Sequence, residues 1–377
     1  MPPPPALATA FGCYRQTRFF SSLDGLRAMS ILAVIWHHTA SAGAALAILH
    51  QGNQGVSLFF VISGFLIVTL LLRAKTRSGT FSLPKFWGRR SLRILPVYYG
   101  VLGLYIGLVF FREHDPVYRQ AFFGNLPAFA TFTSNWFVSL KNPRVIFYFA
   151  WSLAAEEQFY LVWPWFERFL RGAWPLLAAF VALLITQSVA VATSAQNPAS
   201  LPLALRIISS VPAAILLGVI LAHLLNSPAT FRFLYGITGR RGSALAALLL
   251  TFAALGARPT LGSAGDLVTA AAMMLLVAAC VIREDNDLAR ILSTPVVAWI
   301  GKVSYGMYLF HMIAVNLIHR LSSAFGHSSP YLDFAGGVLL AVGLASMSYL
   351  FFESRLLKVK DRLFRESVAF VGQTPTV

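Results

Sequence analysis

The sequence predicts an all-α, polytopic bundle of about ten membrane-crossing helices. Of its 377 residues, 57% are hydrophobic and 12% charged, where a soluble domain carries roughly 25% charged residues. The apolar residues fall in runs of about 20, the length that crosses a bilayer as helix. The basic residues gather between alternate runs. This composition, with a mean hydropathy of +0.68, excludes a soluble enzyme, a disordered chain and a disulfide scaffold. Cys13 and Cys280 are far apart in unlike contexts and give neither a disulfide framework nor metal-ligand spacing.

The opening MPPPPALATAFGCYRQTRFF is Pro-rich, then basic, and is expected to be a short N-terminal tail over 1–21 rather than a signal peptide. Apolar segments follow at 28–49, 53–72, 92–111, 151–170, 172–193, 205–225, 242–257, 267–282, 296–319 and 331–352, the 242–257 and 267–282 runs being short for a span. The stretch 121–140 mixes Gly, Pro, Asn, Ser and Thr with aromatics and is expected to be re-entrant or interfacial. A second tail covers 356–377, and the membrane domain between the tails is 22–355. With the N-terminus inside and 121–140 not crossing, 22 of the 30 lysines and arginines fall on the inner side. Lys141 and Arg144 count with the outer loops, Arg365 with the inner tail. That asymmetry predicts ten spans with both termini cytoplasmic. It also accounts for the net charge of +16 without nucleic acid as a partner. No regular internal repeat marks a transporter built from repeated halves.

Ionisable residues at membrane depth are costly and are functional candidates. His38 stands eleven residues after Arg27, three helical turns on, so both lie on nearly one face. A proton acceptor at mid-depth above an inner guanidinium suits a reaction drawing on a cytoplasmic anionic donor. His37 points about 100° away and reads as a hydrogen-bonded interior histidine. Arg90 and Arg93, three apart in FWGRRSLRILPVYY, share a helical face. They suit either bidentate phosphate binding or plain positive-inside anchoring. Glu156 and Glu157, beside Trp151, Ser152 and Gln158, are expected to orient or stabilise a histidinium or to bind a sugar hydroxyl. Simple placement at an interfacial helix start is the alternative. Ser304, Tyr308 and His311 form one polar stripe with Tyr305 beside it, facing the bundle interior or a wet cavity. Glu353 is expected to pair with a nearby arginine. No HExxH, dinucleotide fingerprint or Walker loop occurs, and no metal is expected.

SSLDGLRAMSILAVIWHHT, GVSLFFVISGFLI, RRSLRILPVYY, WSLAAEEQFYLVWP and SYGMYLFH together resemble the successive signatures of the membrane acyltransferase-3 family, in the family's order, from about residue 22 to 355. The resemblance implies O-acyl transfer, commonly of acetyl from acetyl-CoA, to hydroxyls of O-antigen lipopolysaccharide, peptidoglycan, exopolysaccharides, Nod factors or macrolides. It implies a catalytic His38 in an Arg-x10-His motif with Arg27, and Arg90 and Arg93 handling the acyl-CoA. Ser57 stands where many relatives have Asp, which leaves the glutamate pair as the expected partner of the histidine. About 25 residues follow the last span, so the stand-alone form without an SGNH-type esterase domain is expected. The expected setting is the bacterial inner membrane, with a carbohydrate acceptor, acyl-CoA and membrane lipid as partners. A macrolide-type or lipid-linked acceptor and, more distantly, a transporter stay open, as does the oligomeric state.

Overall fold

Helix accounts for all the regular secondary structure in the computed structural model, which describes residues 5–39, 47–139, 145–194, 196, 200–327 and 329–363. The 40–46 part of the first apolar segment, Lys141, Arg144, Arg365 and the end of the second tail lie outside the described residues. In chain order the helices are α1 Pro5–Gln16, α2 Ser21–Thr39, α3 Gly55–Ser78, α4 Leu83–Arg112, α5 Pro116–Ala130 and α6 Ser134–Phe137. Next come α7 Ala150–Phe169, α8 Trp174–Thr193, α9 Leu203–Ser209, α10 Ala213–Asn226, α11 Pro228–Thr238 and α12 Ser243–Ala257. The last are α13 Gly265–Ile282, α14 Ala289–Leu292, α15 Pro295–Lys302, α16 Ser304–Ala324, α17 Pro330–Ser348 and α18 Ser354–Leu363.

Each of the ten predicted apolar segments falls on a helix, but not every one passes as a span by length and apolarity. Among the described residues five do, and up to eight if each bent pair, such as α9 with α10 or α15 with α16, is one span. α7 carries Glu156, Glu157, Glu167 and Arg168, which interrupt its apolar run. The 15 residues of α12 rise only about 22 Å, short of a roughly 30 Å hydrocarbon core.

The N-terminal tail holds a docked helix. Phe11 and Tyr14 of α1 pack against Phe231 of α11, one edge-on and the other tilted. Arg73 at the end of α3 donates to the Tyr14 and Thr17 carbonyls at 2.8 and 2.5 Å, satisfying acceptors that the helix end leaves open. The ambiguous 121–140 stretch holds the end of α5 and all of α6, with Phe122 and Phe129 fully buried.

Two apolar clusters fill the interior. One joins α3, α10 and α13, the other α2, α4, α5, α16 and α17, and Val56 and Tyr305 pack against both. α3 and α10 cross almost backbone to backbone, because a Cβ on Gly64 or Gly218 would strike the facing helix's main chain. Small residues at such crossings replace the hydrophobic drive that lipid does not supply. α2 contributes to both clusters, Leu23 and Leu26 to the first and Ile31, Val34 and Ile35 to the second.

Candidate active site

At the early end of α2, Arg27 donates to Asp24 at 2.9 Å and lies within electrostatic reach of Arg93 of α4. Arg90, one turn before Arg93, lies with its guanidinium 3.9 Å from the Tyr160 ring centroid and 3.9 Å from Glu156 Oε1. That carboxylate also accepts from the hydroxyls of Ser63 on α3 and Tyr160 on α7. The geometry follows from a gap in the hydrogen-bond ladder of α7, which itself runs on from Ala150 to Phe169. Pro164 has no N–H to donate to the Tyr160 carbonyl, and Trp87 of α4 fills the vacancy with its indole N–H at 3.0 Å. Trp87 and Arg90, one turn apart, thus hold the same residue from both sides. The two basic motifs, eleven and three residues in span, converge on one cluster of Arg27, Arg90 and Arg93.

Eleven residues of helix carry α2 about 16 Å further, to His38. Its Nδ1 is 3.2 Å from the Tyr148 hydroxyl, and its ring centroid is 5.1 Å from that of His311 on α16. Tyr148 sits in a turn held in a costly conformation: the neighbouring Phe147 has φ 69°, a left-handed value unfavourable for a bulky residue. Phe147 tolerates it because its ring is enclosed by Tyr98, Tyr105, Phe129 and Phe149.

His311 is fully buried, with Nδ1 2.6 Å from the Tyr308 carbonyl. A carbonyl only accepts, so Nδ1 carries the hydrogen and Nε2 keeps a lone pair. That Nε2 is buried without a hydrogen-bond partner among the described residues. Ser152 Oγ lies 2.6 Å from Tyr308 Oη, and both hydroxyls reach the Phe149 carbonyl. This network fixes α7 against α16 at the level of His38.

The remaining predicted residues divide between the two ends. Trp151 packs edge-on to Phe60 of α3. Ser304 is buried at the start of α16. Tyr305 donates to the Ile94 carbonyl at 3.1 Å, beside the arginine cluster. Ser57 donates to Gln54 at 2.8 Å. Glu353 accepts from Ser348 at 3.1 Å and lies within electrostatic reach of Arg93. His37 packs against His38 on the turned-away face.

The structure does not bring the glutamate pair to the histidine. Glu156 belongs to the arginine cluster, and Glu157 lies within electrostatic reach of Arg90, Tyr98 and Tyr305. Among the described residues no hydrogen bond or ion pair joins either carboxylate to His38. Tyr148, Ser63 and Tyr160 escaped the sequence reading: Tyr148 lies in a turn without periodicity, and the other two sat unremarked on apolar helices. The proline within a tryptophan-rich α7 is the signal that points to Tyr160.

Residues 20–350 match the model of the acyltransferase domain. The chain is 30% identical to a peptidoglycan O-acetyltransferase of Listeria monocytogenes, over 80% of this chain and 50% of that protein. It is 28% identical to a provisionally named O-acetyltransferase of Staphylococcus aureus, over 92% of this chain and 59% of the relative. For a provisionally named peptidoglycan O-acetyltransferase of Bacillus subtilis the figures are 27%, 93% and 57%. The chain thus spans between half and three fifths of the length of these curated relatives. No solved structure matches it. Since the match covers both basic motifs, His38 and the α16 stripe, the chain belongs to the family of this acyltransferase domain.

Proposed function

We propose that the protein is a membrane-embedded O-acyltransferase, moving an acetyl group from acetyl-CoA to a hydroxyl of a cell-surface carbohydrate, with ten spans and both termini cytoplasmic. The observation that carries this reading is the arrangement along α2: three guanidiniums converge at one end, and His38 stands eleven residues on along nearly the same face. A donor held by its phosphates in the arginine cluster extends its thioester arm along that face toward the imidazole.

His38 takes the proton of the acceptor hydroxyl as the oxygen attacks the thioester carbonyl. The carbon–sulfur bond breaks, and the CoA thiolate leaves with the proton returned by the imidazolium. General-base assistance of this kind contributes about 10²–10⁴-fold. The Tyr148 hydroxyl orients the ring, the place the sequence reading gave to a glutamate. The named substrates of the peptidoglycan O-acetyltransferase relatives favour peptidoglycan as the acceptor.

The test is thiol release by purified protein given acetyl-CoA, with and without soluble peptidoglycan fragments. The reading predicts acceptor-dependent release that His38→Ala abolishes. Release before any acceptor is added supports an acyl-histidine intermediate over direct transfer. Undiminished acceptor-dependent release by His38→Ala overturns the assignment.

A further inference from the structure

The two arginines of the Arg-x-x-Arg motif sit in different surroundings. Arg90 is engaged from two sides, by the Tyr160 ring under its guanidinium and by Glu156 beside it. The same Glu156 oxygen gathers the Ser63 and Tyr160 hydroxyls, so α3, α4 and α7 meet at one carboxylate. The Arg90 side chain is only 20% exposed, and its Nε is buried without a hydrogen-bond partner among the described residues. Arg93 is the opposite case. It is exposed, makes no hydrogen bond or ion pair among the described residues, and keeps all five N–H donors for a ligand. Arg27 spends one nitrogen on Asp24 and lies within electrostatic reach of Arg93.

Resting on the acyl-CoA reading above, we propose that Glu156 is a positioning residue that clamps Arg90 into the bundle, and that Arg93 with Arg27 takes the phosphates of the donor. Four carboxylates surround the cluster: Asp24 acts on Arg27, Glu156 and Glu157 on Arg90, and Glu353 on Arg93. Net charge therefore does not separate the two arginines, whereas packing does: Arg90 lies against the Tyr160 ring and Arg93 is exposed. A planar guanidinium stacked on a ring and held beside a carboxylate has lost the freedom to turn its fork toward a phosphate. Arg90 instead supplies a fixed positive charge within electrostatic reach of the exposed Arg93.

The experiment compares binding of CoA and of pantetheine, which lacks the phosphates and nucleotide, to purified full-length protein, alongside its thermal unfolding. Wild type is expected to prefer CoA. Arg93→Ala should lose that preference by about ten- to hundredfold, the loss of one or two charge-assisted hydrogen bonds, with unfolding unchanged. Glu156→Gln keeps the shape and hydrogen-bonding capacity of the side chain, so it should fold. It should lower the unfolding temperature while retaining the preference for CoA, and Arg90→Lys should do the same. A preference intact in Arg93→Ala, or lost in Glu156→Gln at unchanged unfolding, overturns the proposal. Wild type that does not distinguish CoA from pantetheine overturns the acyl-CoA reading itself.

Discussion

Replacing Gly25 by alanine tests how closely the position of α2 is tied to the chemistry. Gly25 lies two residues before Arg27, where α2 passes over the short helix α14. A Cβ there would stand 2.5 Å from the Leu292 Cβ, 2.5 Å from its carbonyl oxygen and 2.6 Å from its Cα, where ordinary contact begins at 3.4 Å. Two of those three atoms are main chain and cannot rotate aside, so α2 and α14 must part by about 0.9 Å. Overpacking of this size costs about 1–3 kcal/mol, and alanine returns about 1 kcal/mol through helix propensity. The net loss of stability is therefore small, about 0–2 kcal/mol. The loss of activity is not: α2 carries both Arg27 and His38, and a misplacement near 1 Å costs roughly 10²-fold. Gly100 of α4 is the control, since nothing lies within 4 Å of a Cβ there. Thiol release and thermal unfolding of the two variants should diverge: Gly25→Ala nearly inactive and slightly destabilised, Gly100→Ala fully active and as stable or more so. Equal activity in the two variants would refute the reasoning.

Three further outcomes follow from particular contacts. Tyr148→Phe removes the hydroxyl 3.2 Å from His38 Nδ1; turnover should fall about fivefold, the worth of one neutral hydrogen bond of about 1 kcal/mol, with the KM for acetyl-CoA unchanged. Glu167→Ala strips the carboxylate shared by His223 at 2.8 Å and the Trp163 indole at 2.9 Å. Both partners are buried or nearly so, and the stability lost in denaturant unfolding should be about 3 kcal/mol or more. Gly218→Val drives a side chain into the α3 main chain, where a Cβ already comes within 2.8 Å of the Phe65 nitrogen; it should abolish accumulation of folded protein in detergent, as judged by size-exclusion chromatography.

Much of the molecule was legible in its sequence, and for a definite reason. Hydropathy runs and helical spacing are local properties. They located a helix under every apolar segment and placed Arg27 and His38 on one face of α2. They also found Arg90 with Arg93 and the polar stripe of Ser304, Tyr308 and His311. What they could not supply is which faces meet. Glu156 lies on the expected helix but turns to Arg90 rather than to His38, because Pro164 frees the Tyr160 carbonyl for Trp87 and so sets how α7 docks on α4. Tyr148 reaches His38 from a turn whose conformation is held by rings of α4 and α5, together with the adjacent Phe149. The docking of α1 depends on Arg73, more than fifty residues away. Each of these is a contact between distant parts of the chain, which periodicity within one helix does not encode.

Mass spectrometry of cell-surface glycans, from cells carrying either the wild-type protein or a stably folded His38→Ala variant, addresses the imidazole's role most directly. The account predicts that one O-acetyl mass increment present with wild type disappears with the variant. A glycan profile identical in the two would contradict it.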